Sequence, residues 1–292
     1  MKGFIVERVA PQAAQLDHNP EVLGSVWEEF VRRGLHLQLD FFTALPLLAE
    51  HSGAFAFLAL QQRVAGCPDP PAGVAFGHLR NPQGPAPLWS DGRVSGTVPW
   101  LTGAGLFARV LLGFRLPDGS EVRAWVPAHD RPEFRHSAPL PLLAIRGANT
   151  VSVALCELAV DESLFVSVQP RGTQAQNDAS GVLYQTPLML GNLRASLRLI
   201  EQSQRGDLAK AQDLVAQLDA ALQAENAREN GPVLRARAGD LSVRLARLAC
   251  MACGGGSLLT GHPAERLYRE ALVFSLMAQT DAVVDNAFEE LS

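Results

Sequence analysis

Trp100 and Thr102 stand two apart in the run Gly96-Thr97-Val98-Pro99-Trp100-Leu101-Thr102-Gly103. The run reads as a strand, and residues i and i+2 of a strand face the same way, so the pair would offer an aromatic wall and a hydroxyl to one ligand. Taken alone, such a pair is more ordinarily a half-buried tryptophan on a structural strand, and context must decide. Gly254, Gly255 and Gly256 form a second cluster, followed by Pro263, Glu265, Arg266, Arg269 and Glu270. Glycine lacks a Cβ and so lets a ligand approach backbone closely. The plain alternative is a helix C-cap followed by a salt-bridged helix. Cys250 and Cys253 form a Cys-x-x-Cys just before the glycines. A redox or metal role would need a second ligand pair or a thioredoxin-like context, and the sequence has neither; the pair reads as a buried helix face. His78 is conceivable as a base but is more ordinarily structural, and His36, His51, His129, His136 and His262 show no metal-site spacing. Arg194, Arg198 and Arg205 fall on related helix faces. They could meet phosphates, although a solvated face is the plainer account.

Three zones must position these residues. Residues 1–71 read as a short helical domain. Asn19 is a candidate N-cap before Pro20, apolar residues recur at helical spacing from Val22 to Val31, and a helix over 41–65 is broken near Ser52 and Gly53. The proline- and glycine-rich stretch 67–73 reads as a turn. Residues 72–172 carry short apolar runs at 74–79, 93–101, 109–116, 122–127, 141–145, 150–158 and 164–168, with Pro117-Asp118-Gly119 as a hairpin turn. Strands at this spacing predict a barrel or sandwich. Residues 173–292 read as helices over 188–203, 208–226, 232–253 and 263–291, which short loops would join into an antiparallel four-helix bundle.

The chain of 292 residues is 47% hydrophobic and 19% charged, which suits a folded, globular protein. A formal net charge of −5 gives no electrostatic footprint for nucleic acid. No apolar run reaches the roughly 20 residues a bilayer span requires. Glu7 and Arg8 interrupt the apolar start, which makes it a poor signal peptide, so a cytoplasmic location is the default expectation. Four scattered cysteines do not make a disulfide framework.

The segment holding Trp100 and Thr102 resembles the Gly-x-x-x-Trp-[Ile/Leu]-Thr segment of acyl-CoA dehydrogenases. The glycines with Pro263, Glu265, Arg266, Arg269, Glu270 and Ala271 resemble that family's glycine turn and the opening of its final helix. Weaker likenesses lie at Arg146 to Thr150 and at Leu190-Gly191, and the similarity spans residues 72–292. The resemblance implies an α+β architecture: an abbreviated N-terminal helical domain (1–71), a central β-barrel (72–172) and a C-terminal four-helix bundle (173–292). It also implies FAD as cofactor. Trp100 would lie beside the flavin ring and Thr102 would bond flavin N5. Gly254 and Gly255 would approach the FAD of a neighbouring subunit, and Thr280 would lie in the flavin-contacting end of the last helix. The family assembles as homodimers or homotetramers and acts on acyl-CoA, so an acyl-CoA or acyl-carrier ligand is implied.

The family pattern then breaks. Aligned on Arg269, Ala278 takes the place of the glutamate that removes the substrate α-proton, and a methyl group accepts no proton. Asp178 is the single acid before the first bundle helix and stands too far back. The flavin-contacting threonine has no counterpart near Phe76 to Pro82, and the family's Arg-x-x-Phe-Gly is reduced to Arg205 and Gly206. Two readings stay open: a flavoprotein oxidoreductase acting on CH–CH bonds with an unassigned base, or an inactive relative that binds a ligand or serves assembly.

Overall fold

The computed structural model describes residues 1–66 and 71–289 of the chain. Part of the turn expected over 67–73 therefore lies outside the described residues. The chain opens with α1 (Lys2–Phe4) and α2 (Ala13–His18), then α3 (Pro20–Arg32), α4 (Ala44–Ala49) and α5 (Gly53–Ala65). The starts of α3 and α5 follow from capping chemistry. Asn19 Oδ1 accepts the N–H groups of Glu21 and Val22, and Ser52 Oγ accepts the N–H of Phe55. Phe4, Trp27, Phe30 and Phe55 bury completely and form tilted and stacked ring pairs, and Trp27 meets Phe107 edge-on at 5.8 Å.

The middle of the chain forms β1 (Ala72–Ala75), β2 (Leu88–Ser90), β3 (Arg93–Leu101), β4 (Arg109–Arg115), β5 (Glu121–Pro127), β6 (Phe134–His136), β7 (Val151–Ala159) and β8 (Phe165–Gln169). They make one sheet in the order β6-β7-β3-β2-β4-β5-β8, with β1 parallel to β4. The sheet wraps its own core of Val94, Val98, Val110, Phe114, Val122 and Val153, an open barrel whose end strands β6 and β8 are not paired with each other among the described residues. The expected turn at Pro117-Asp118-Gly119 joins β4 to β5, with Gly119 at φ 88 and Asp118 Oδ1 accepting the Ser120 N–H. Two expected strands are corrected. The run at 74–79 leaves the sheet after Ala75 and turns into 3-10 helix, because Phe76 packs over Gly113 and His78 bonds its carbonyl. The run at 141–145 is irregular, since Asp17 takes the Ile145 N–H and Ile145 adopts φ 58.

After α6 (Thr173–Ser180), the bundle consists of α7 (Thr186–Ser203), α8 (Ala209–Gln223), α9 (Gly231–Cys253) and α10 (Pro263–Leu276), with α11 (Asp281–Glu289) beyond. The expected helix over 263–291 is thus two helices. The N-terminal helices and the bundle share one core that includes Leu45, Leu48, Phe55, Leu188, Met189 and Phe274.

Candidate functional site

β3 ends at Leu101, and its register against β7 shifts between Val98 and Leu101. Trp100 is 58% exposed, whereas Thr102, one residue past the strand, is 6% exposed. The Thr102 hydroxyl is hydrogen-bonded to that of Thr150 at 3.0 Å. Around it, Gly103 N–H bonds Ala148 O at 2.8 Å, and Asn149 Nδ2 donates to Ala104 O at 2.8 Å. Gly103 must be glycine: its φ is 79, and a Cβ would lie 2.5 Å from the Phe107 ring. The weak likeness at Arg146 to Thr150 thus becomes a physical support for the end of β3.

The second segment begins where α9 stops. Gly254 caps it at φ 72, ψ −159, a conformation closed to residues with a Cβ. The single Ser257 hydroxyl proton is shared between Gly254 O at 2.7 Å and Cys250 O at 3.0 Å, which ties the turn back to the helix. A Cβ on Gly255 or Gly256 would meet nothing within 4 Å, so this backbone is open to approach. Arg205 reaches the same end of α9, its Nη1 donating to Ala252 O at 3.3 Å. Of the other two arginines, Arg194 pairs with Asp219 at 2.6 Å and Arg198 pairs with Glu50, so both hold helices together.

The third segment, 277–280, separates α10 from α11. Arg235 of α9, 1% exposed, donates from Nη2 to Phe274 O at 2.7 Å and Met277 O at 2.8 Å. A continuous helix would have needed those carbonyls for residues 278 and 281, so Arg235 ends α10. Burial pulls this guanidinium down to about 10, still charged at neutral pH. Ala278 sits at φ 51, and Thr280 opens α11 by accepting the N–H of Val283 on its carbonyl at 3.0 Å and on Oγ1 at 3.4 Å. Sequence reasoning missed Arg235. The signal was an arginine on a helix face otherwise made of Gly231, Leu234, Ala238, Gly239 and Ser242.

The nearby acids serve structure. Glu270 is wholly buried, accepting from Arg266 Nη1 at 2.7 Å and the Gly53 N–H at 3.1 Å, and burial raises its pKa. Asp17 accepts from Ile145 N–H and Arg269 Nη2, both at 2.8 Å, joining α2 to α10. Burial works against the charge on Arg269, but Glu265 and Asp17 more than restore it and its pKa rises. Asp178 is held by Arg80 at 2.6 Å. His78 bonds Gly113 O at 3.0 Å, and burial lowers it to about 4, so the ring is neutral at pH 7.

Among the described residues no hydrogen bond or ion pair joins Trp100 or Thr102 to the glycine turn or to Thr280. No group of three potential metal ligands occurs among them, and no helix there is long and apolar enough to cross a membrane. A groove of about 290 Å³, absent from the sequence reading, lies between the ends of α7 and α9 and the start of α8, lined by Ile200, Arg205, Leu208, Leu245, Leu248 and Met251. The exposed Trp100 indole and the unshielded backbone at Gly255 and Gly256 are each open to a ligand, and an aromatic wall and a Cβ-free backbone are of the chemistry a flavin dinucleotide would use.

Comparison defines the class. Residues 202–286 match the family model "Acyl-CoA dehydrogenase, C-terminal domain". Butyryl-CoA dehydrogenase from Megasphaera elsdenii superposes with a TM-score of 0.77 at 12% identity, over 99% of this chain and 95% of that one. KijD3 in complex with dTDP gives 0.77 at 16%, over 98% and 93%. A nitrososynthase from Micromonospora carbonacea var. africana gives 0.71 at 20%, over 99% and 93%. No curated protein matches the sequence. The fold is that of the acyl-CoA dehydrogenases, and residues 202–286 are similar to that family's C-terminal domain.

Proposed function

We propose that this protein is a flavin-binding member of the superfamily that does not dehydrogenate acyl thioesters by the glutamate route. The observation that carries the reading is Ala278, fixed at φ 51 in the turn between α10 and α11, where the resemblance places the base. A bound FAD would supply a two-electron acceptor. Trp100 would flank its ring, and Gly254, Gly255 and Thr280 would approach it, the glycines from a neighbouring subunit of a homodimer or homotetramer. Glu270, Asp178 and Asp17 support no substitute base, since each is already bound to an arginine. The same fold is used by KijD3, whose structure holds FMN and a dTDP-linked amino sugar, so an acyl-CoA substrate is not required by this architecture. The Thr102–Thr150 bond favours a second reading, a relative that keeps the fold for ligand binding or assembly without a flavin. Incubation of the purified protein with FAD, followed by desalting, separates the two. A retained visible flavin band that Trp100→Ala weakens supports the first reading, and a colourless protein overturns it.

A further inference from the structure

Cys250 and Cys253 lie one helical turn apart at the end of α9, and neither is in a disulfide. Both are partly exposed, and each packs one side against the helical core. Cys250 Sγ donates to Ala264 O at 3.4 Å. Burial raises the Cys250 thiol against the lowering effect of the Ser257 hydroxyl, with Cys253 adding to the rise; the helical spacing of three residues is what places the two side chains on one face. We propose that Cys250 and Cys253 are a dithiol modification site, closed by a two-electron oxidant such as hydrogen peroxide, and that closure reshapes the glycine turn. One thiolate attacks the peroxide oxygen and releases water, giving a sulfenic acid. The second thiol displaces the remaining oxygen as water, giving the disulfide.

Residues i and i+3 of a helix keep their Cβ atoms about 5–6 Å apart, whereas a disulfide needs about 3.5–4.5 Å, so one end must move. Cys250 is anchored through its carbonyl by Ser257 and through its thiol by Ala264. Cys253 is the last residue of α9 and is followed by Gly254 at φ 72. The movement therefore falls on Cys253 and the turn. Its consequence for cofactor binding rests on the flavin reading; the chemistry and the movement do not.

The test treats the full-length protein with hydrogen peroxide, then alkylates, digests with trypsin and weighs the fragment 248–266, which holds both cysteines. Amide exchange of residues 254–262 is followed in parallel. The expected result is a peptide that escapes alkylation, has lost two hydrogens and yields no such species in Cys253→Ser, with faster exchange in the turn. In a protein that takes up FAD, the same oxidation lowers affinity roughly tenfold. Full alkylation after peroxide, or a disulfide that leaves exchange unchanged, overturns the proposal. A reduced protein that takes up no FAD sinks the flavin reading, while mass and exchange still decide this one.

Discussion

Replacing Ala278 with glutamate returns a carboxylate to the position where the resemblance places the base. The backbone cost is already met, because alanine and glutamate are both L-residues and φ is 51 in either case. Residue 278 is partly exposed, so the longer side chain has room and stability should change by no more than about 1 kcal/mol. The Arg235 guanidinium, donating to the carbonyl of Met277, lies one residue away and favours the ionised carboxylate. A positioned general base contributes roughly a hundred- to ten-thousandfold. Acyl-CoA-dependent dye reduction by Ala278→Glu should therefore exceed that of the natural protein by at least about a hundredfold. A folded, flavin-loaded Ala278→Glu protein with no rise for any chain length would refute the reasoning that the base is what is missing.

His78 should make the protein acid-sensitive. Its folded value of about 4 lies below the ordinary 6.5, so between these values the unfolded chain binds more protons and stability falls as pH drops. The difference of 2.5 units corresponds to about 3 kcal/mol at most, and His78→Gln should remove that slope from urea midpoints measured between pH 7 and 4.5. Asp17→Ala should cost about 3–5 kcal/mol in urea unfolding, because Arg269 and the Ile145 N–H both lose their acceptor. Thr102→Val alone should cost about 1–3 kcal/mol by stranding the Thr150 hydroxyl, and the Thr102→Val, Thr150→Val double variant should cost less than the two singles summed.

Local signals in the sequence carried much of this architecture. Asn19 and Ser52 cap where their side chains can reach orphan N–H groups, and Pro117-Asp118-Gly119 turns where a glycine must adopt positive φ. What escaped was decided by partners distant in sequence. Nothing between Pro263 and Glu289 breaks a helix by composition; the break comes from Arg235 on another helix taking two carbonyls. The run at 141–145 has the composition of a strand, yet Asp17 captures its backbone. The three-residue strands β2 and β6 are too short to leave a periodic trace. At the site, Trp100 and the glycines stood out by type, whereas the commitment of the Thr102 hydroxyl to Thr150 depended on a segment 48 residues away.

The most direct measurement is anaerobic: FAD-loaded natural protein is mixed with a series of acyl-CoA thioesters while the flavin spectrum is followed. An oxidised spectrum that persists through the series is the predicted result. Rapid bleaching by any saturated thioester would show α,β-dehydrogenation without a carboxylate at residue 278, and the account would be wrong.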